Sequence, residues 1–250
     1  MFFNRMAPKG NENVTNKAQD GTRNAFLDQK KILLNIDVRV IFDVGANIGQ
    51  TTKKYCKLFP TAQIFSFEPF EEAYSTLALK HQANSSVKPV KLAISDHIGT
   101  DQLNLNVSNE TNSLLKVACG SDRYVDKGLT ENIGSVDVDT ISIDEYCKNE
   151  CIENIQILKL DIQGTELMAL RGAENLLKDH LIDLIYTEVL FAELYTGQAY
   201  FADICRYLEG HGYILYGLYD LTHGENGVLA WGDAIFISPK LKLSLNGECG

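Results

Sequence analysis

The stretch Asp43-Val44-Gly45-Ala46-Asn47-Ile48-Gly49 decides how this chain is read. It follows the apolar, β-branched run Val40-Ile41-Phe42 and opens a polar segment, Gly49 to Leu58, of helical character. A glycine turn between a buried strand and a helix is the setting in which a nucleotide-binding loop works. Gly45 lets the chain turn sharply and a ligand approach the backbone, and Gly49 lets the helix start close to the strand. A dinucleotide loop adds a middle glycine that makes room for a pyrophosphate. That Gly-x-Gly-x-x-Gly spacing is absent here, so the loop suits a nucleoside without phosphates.

Outward from this turn, strand and helix patterns alternate. A short helix is expected over Ala25–Leu34, strands over Ala62–Phe67 and Val87–Ile94, and a helix over Glu71–Gln82 with Ala73, Tyr74, Leu77, Ala78 and His81 on one face. Ile155–Leu160 and Ile182–Leu190 resume the buried-strand pattern, each followed by a helix, the first carrying Leu167, Leu170, Leu176 and Leu177, the second Phe201, Ile204, Cys205 and Leu208. Such alternation predicts an α/β fold, a mostly parallel sheet with helices on both faces. Tyr213–Tyr219 and Leu229–Ser238 are joined only by a loop, so they should pair antiparallel, because a parallel crossover needs a dozen or more residues. Between the third and fourth core strands, about 99–138, the sequence turns polar, and Ser108–Ser121 is rich in Asn, Ser and Thr. This reads as an insertion in one domain over 25–240, flanked by a flexible arm (1–24) and a tail (241–250).

An open parallel sheet gathers ligands at the carboxyl ends of its strands. That rule brings Gly45, Glu68, Ile94, Asp161 and Glu188 to one edge. Glu68 falls about 20 residues beyond the glycine turn, where a carboxylate accepts hydrogen bonds from both ribose hydroxyls and repels a 2′-phosphate. Pro69 and Phe70 extend it as an apolar wall. At the third strand tip Ile94 is expected against a base, with Ser95 or Asp96 near its polar edge.

The 250 residues carry 33 acidic and 23 basic side chains, a formal charge of −10. No dense basic block is present, which argues against a long polyanion and hence against a nucleic-acid partner. Residues 1–24 lack the apolar block of a signal peptide, no stretch approaches 18 consecutive apolar residues, and no membrane partner is expected. The six cysteines, Cys56, Cys119, Cys147, Cys151, Cys205 and Cys249, read as free thiols of a cytoplasmic protein, since the close pair Cys147/Cys151 has no second half-site for zinc.

Taken together, these residues resemble the class I S-adenosylmethionine-dependent methyltransferases, and within them the FkbM-type methyltransferases. The resemblance covers about 40–238 and rests on Asp43 to Gly49, Phe67-Glu68-Pro69, Asn112-Ser113-Leu114, Leu158 to Glu166 and Gly232-Asp233-Ala234-Ile235-Phe236. It implies a Rossmann-like sheet of seven strands with the last antiparallel, S-adenosylmethionine as cofactor, and methyl transfer to an oxygen of a sugar or small molecule. The position of Gln163 is often acidic in that family. The cofactor-binding residues expected on this reading are Asp43, Gly45, Ala46, Asn47, Gly49, Glu68, Pro69, Phe70, Ile94, Ser95, Asp96 and Asp161.

Asp161, at the tip of the central strand, would lie beside the cofactor's charged groups and could orient or deprotonate a hydroxyl. Glu188 at the next tip and His223 in the final hairpin, a base near neutral pH, complete the catalytic candidates. Glu166 is assigned to the helix dipole, and Asp233 to structure. No obligatory metal is expected, because Asp161 and Glu188 alone make only a partial ligand set. Two rival functions share the same strand, turn and acid. One is an NAD-dependent oxidoreductase or epimerase, although Tyr124-Val125-Asp126-Lys127 is one residue short of Tyr-x-x-x-Lys. The other is a non-catalytic nucleoside-binding module. Methylation of a base amino group would call for Asn/Asp-Pro-Pro-aromatic where Asp161-Ile162-Gln163-Gly164 stands. The polar segment Ser108–Gly134 is expected to cover the acceptor pocket and to choose the acceptor.

Overall fold

Alternation along each strand sorts the core into two layers, and the computed structural model, which describes residues 23–245, shows both. The chain begins with α1 (Ala25–Ile32), β1 (Val40–Val44), α2 (Gln50–Leu58), β2 (Gln63–Phe67), α3 (Glu71–His81) and β3 (Val87–Val90). Then come β4 (Ala93–Ile94), β5 (Gly99–Asn106), the short α4 (Lys127–Thr130), β6 (Asn132–Ile141), α5 (Ile143–Asn149) and β7 (Ile155–Leu160). The last part holds α6 (Glu166–Arg171), α7 (Glu174–Lys178), β8 (Ile182–Leu190), α8 (Phe201–Gly210), β9 (Ile214–His223), β10 (Leu229–Ile237) and α9 (Pro239–Leu245). Most of the expected N-terminal arm, and the end of the tail with Cys249, lie outside the described residues.

Seven strands form one sheet in the order β3-β2-β1-β7-β8-β10-β9. All neighbours are parallel except β10, which runs antiparallel to both β8 and β9. The sheet therefore reverses winding between β1 and β7, the crevice where such folds hold ligands. Phe42, Leu158, Ile185 and Phe236 pack against Tyr146, Leu170, Leu177 and Leu208 from α5 to α8 on one face. Ile41, Ile64, Ile157, Leu184 and Ile235 meet Ile32, Tyr55 and Leu241 from α1, α2 and α9 on the other. The period of two then dictates the placement of the polar residues. Asp43, Ser66, Glu68, Lys159, Asp161, Glu188 and Asp233 each share the parity of the second set, so their side chains converge on the α1–α2 side of the carboxyl edge.

Three expectations change. Val87–Ile94 is not one strand: β3 ends at Val90, and Ala93–Ile94 pairs in parallel with β6 in a second sheet of order β4-β6-β5. The polar insertion is likewise built on an antiparallel pair, β5 with β6, and not on loop alone. Leu103 and Val138 bury themselves with Ala93 beneath that sheet, while Asn132 to Asp137 stay exposed, which explains why the region reads as polar. The helix after β7 breaks into α6 and α7 at Gly172, where a Cβ would stand 2.1 Å from the Ser95 carbonyl oxygen. Among the described residues no helix is long and apolar enough to cross a membrane.

Candidate functional site

The crevice at the reversal point is walled by Gly45, Ala46 and Asn47 after β1, by Glu68 and Pro69 after β2, by Leu92 to Ile94, by Asn112 to Leu114 of the insertion, and by Asp161 to Gln163 after β7. Gly45 adopts a left-handed conformation (φ 73°). A Cβ there would lie 2.0 Å from the Asp161 carbonyl oxygen. Glycine is thus required for β1 and β7 to approach at the floor of the site. Asn47, also left-handed (φ 48°), caps the turn by accepting from Ile48 N at 2.7 Å.

Glu68 is buried and faces this crevice. One of its oxygens accepts from Asn47 N and the other from Phe70 N, both at 2.9 Å. Each carboxylate oxygen has a second lone pair, so two acceptor positions remain for a vicinal diol. Burial pushes the group up to about 7, against the pull of those backbone donors. Next to it, Ile94 with Leu92, Ala93, Leu103 and Leu114 lines an apolar slot suited to a flat ring.

Beneath the turn, Lys159 is almost fully buried and donates to Val44 O at 3.1 Å and Gly45 O at 2.9 Å. Its ammonium stands 3.2 Å from Asp43 and 3.6 Å from Asp161. Burial pulls it down, but the two carboxylates outweigh burial and hold it above the ordinary lysine range. Thr52 donates to the other Asp43 oxygen at 2.7 Å. Asp43 is therefore a buried anchor of the turn and does not line the crevice.

The structure brings together Gly45, Ala46, Asn47, Glu68, Pro69, Ile94 and Asp161. Others fall outside the crevice wall. Gly49 packs toward Leu77 and His81, and Phe70 packs with the Ala93–Leu103 cluster. Ser95 and Asp96 leave the site because β4 follows β6: Ser95 N bonds Ile141 O at 3.0 Å, and exposed Asp96 contacts His97 at 3.0 Å. His223 is exposed at the end of β9, paired with Leu229, so the hairpin carries it away from the crevice.

Glu188 lies on the far side of Asp161, in a recess with Phe26, Thr51, Lys54, Lys159, Tyr186 and Asp233. Thr51 and Asp161 border both spaces. Burial first, then the Asp161 and Glu166 carboxylates, push Glu188 well above the usual carboxylate range. It therefore favours its neutral form, which has no free carboxylate to take a proton. Asp233 is raised to about 6 by burial, while the Tyr186 hydroxyl donates to it at 2.6 Å.

Three residues escaped the sequence reading. Lys159 is the lone cation in a strand whose six residues are all buried, and that anomaly is the signal that could have found it. Glu166 stands in the first turn of α6, as expected, but it is also buried and accepts from Ile162 N at 2.9 Å and Gly164 N at 3.0 Å, pinning the loop after β7. Gln163 (φ 58°) bridges Asp161 and Glu188, a role no local pattern announces. The insertion reaches this loop through Ser113 Oγ, which donates to Gln163 O at 2.7 Å. Among the described residues no group of three or more His, Cys, Asp or Glu is arranged to hold a metal ion.

The sequence is similar to those of known proteins. The chain is 31% identical over 166 residues to the 2-O-methyltransferase NoeI of Sinorhizobium fredii, covering 64% of this chain and 66% of NoeI. It is 28% identical over 151 residues to the hexuronic acid methyltransferase AglP of Haloferax volcanii, covering 60% of this chain and 55% of AglP. A third relative, the methyltransferase sdnD of Sordaria araneosa, is 27% identical over 156 residues, covering 54% of this chain and 60% of sdnD. The chain thus spans less than two thirds of these three relatives. The stretch 43–215 matches the profile of the methyltransferase FkbM domain, from the acid that anchors the glycine turn to the second residue of β9. With that match covering most of the sheet and both walls of the crevice, the chain belongs to the FkbM methyltransferase family.

Proposed function

We propose that this protein moves a methyl group from S-adenosylmethionine to a hydroxyl oxygen of a sugar or other small polar acceptor in the cytoplasm. The observation that carries the reading is Glu68, a buried carboxylate facing the crevice with two acceptor positions left for a ribose diol. The other residues fit the same cofactor: an apolar slot beside Glu68 for the base, and the Asp161 carboxylate at the opposite end for a cationic group. Bound there, the cofactor supplies an electrophilic methyl on a sulfonium.

The remaining chemistry belongs to the chain. Asp161 orients an acceptor hydroxyl and takes its proton on a carboxylate oxygen, a role open to a group that borders both the crevice and the recess. Thr51, at the same border, steers the acceptor, and Lys54 with the neighbouring carboxyls gives the recess a polar lining suited to a polyol. Most of the rate should come from holding the reactants in line. Similarity to NoeI, a 2-O-methyltransferase, and to AglP, a hexuronic acid methyltransferase, supports an oxygen acceptor of the sugar class. The free thiols Cys56, Cys119, Cys147, Cys151 and Cys205 support a reducing compartment. An NAD-dependent oxidoreductase is not favoured, given the family and a turn that lacks the pyrophosphate glycine.

Calorimetric titration at pH 8 separates the readings. S-adenosylmethionine and S-adenosylhomocysteine are expected to bind with Kd on the order of micromolar, about −8 kcal/mol, while NAD gives no heat. Binding of NAD in their place would return the chain to the oxidoreductase reading.

A further inference from the structure

Gln163 has every polar atom of its side chain engaged although it is 5% exposed. Its Nε2 donates to Asp161 Oδ1 at 3.0 Å and to Glu188 Oε2 at 3.1 Å. Its Oε1 accepts from the Tyr195 hydroxyl at 2.6 Å. Tyr195 is itself 2% exposed, and its backbone is stitched to the insertion by a bridge to Val117, with Ala118 N bonding Leu194 O and Thr196 N bonding Lys116 O, both at 2.8 Å. The amide is held in a left-handed backbone conformation, φ 58°, by a loop whose N–H groups Glu166 gathers.

We propose that Gln163, clamped by Tyr195, is the positioning residue of this site: it fixes the Asp161 carboxylate between crevice and recess and ties that geometry to the insertion. The inference rests on the methyltransferase reading above. A neutral amide is the group that can do this here. A donor with two hydrogens satisfies one oxygen on each of two neighbouring carboxyls without adding a charge. The electrostatic surroundings leave little room for another anion. Asp161 faces Lys159 from its own strand, and Asp43 from β1 beyond that lysine. Glu166 of α6, Glu188 of β8, Asp233 of β10 and the Tyr195 phenol complete the ring of charged and titratable groups. Removing the amide would set two carboxyls face to face, and one of them would keep a proton to a higher pH.

Gln163→Met keeps length and tolerates the same backbone, and Tyr195→Phe loosens the clamp while leaving the amide in place. Carboxyl-carbon NMR of the cofactor-free protein should show the Asp161–Glu188 pair taking up a proton about one pH unit higher in Gln163→Met, and by a smaller shift of the same sign in Tyr195→Phe. The ratio of Kd for S-adenosylhomocysteine to that for S-adenosylmethionine, which reports negative charge facing the sulfonium, should rise as pH increases through the same raised midpoint. Affinity for S-adenosylhomocysteine at pH 8.5 should stay within about twofold, a split that general loosening of the fold would not give. An unmoved midpoint in a folded Tyr195→Phe, or a ratio that does not follow the NMR midpoint, overturns the assignment. Failure of the parent protein to bind either nucleoside removes the methyltransferase reading itself, and this inference with it.

Discussion

Asp161→Asn is expected to lower turnover about 100- to 10,000-fold, the range for losing a positioned proton acceptor, while cofactor-saturated protein remains folded. The size of the effect follows from where the side chain sits. One oxygen is held by Gln163 at 3.0 Å and the other lies 3.6 Å from the Lys159 ammonium. Asparagine preserves shape, but it cannot take a proton, and it weakens the attraction that orders Lys159. The fold should survive because Lys159 keeps Asp43 at 3.2 Å and its two carbonyl acceptors. Single-turnover rates with labelled cofactor, set beside circular dichroism, read both quantities. A variant that turns over like the parent would make Asp161 a structural partner of Lys159 and Gln163, with the base elsewhere.

Glu68→Ala should weaken S-adenosylmethionine by about 1–3 kcal/mol, roughly 5- to 150-fold in Kd, the scale for hydrogen bonds to a charged acceptor. The pH dependence has a definite sign. A diol donates to the carboxylate form, and burial raises this carboxyl to about 7. Cofactor affinity in the parent should therefore rise as pH increases through about 7 and level off above it. Glu68→Ala should flatten that rise. Because Glu68 also accepts from Asn47 N and Phe70 N, Glu68→Gln, which retains one acceptor oxygen, should fall between the two. Equal affinity in parent and alanine variant would remove the ribose from Glu68.

Both predictions depend on buried charges being compensated. Taking an unpaired ion out of water is costly, and the site manages this in two ways. Lys159 sits between two carboxylates and under two carbonyls, so its buried ammonium is compensated by two hydrogen bonds and two opposite charges. The carboxyls farther along the edge, Glu166 raised to about 7 and Glu188 pushed well above the usual carboxylate range by burial, relieve the cost through protonation and through donors such as Ile162 N, Gly164 N and Gln163 Nε2.

Part of this arrangement is legible in local sequence signals. The glycine turn, Glu68 and Asp161 each lie at the end of an apolar strand, and strand tips in a parallel sheet share one edge, so their convergence follows from pattern alone. The final hairpin was readable for the same kind of reason: its loop is too short for a crossover. The misread positions share a different cause. Ser95 and Asp96 face the site only if Val87–Ile94 stays in one sheet, whereas Lys91 and Leu92 carry the chain into a second sheet, where Ala93 and Ile94 pair with Thr140 and Ile141 of β6. The ring of His223 suits base chemistry, but no local signal fixes where the end of the hairpin lies, and pairing with Leu229 holds it there. Gln163 gains its role only when Tyr195 and Ser113, from segments far apart in sequence, close upon it. Period and propensity describe one segment at a time, and such a junction is invisible to them.

The most direct test of the account is to incubate the protein with S-adenosylmethionine carrying a ¹³C-labelled methyl and a panel of simple hexopyranosides and hexuronic acids, and to assign the product carbon by NMR. A methyl ether is expected, with label on a ring hydroxyl oxygen and equimolar S-adenosylhomocysteine. Label appearing on a nitrogen or a carboxylate oxygen, or S-adenosylmethionine bound and left intact across the panel, would contradict transfer to a sugar hydroxyl.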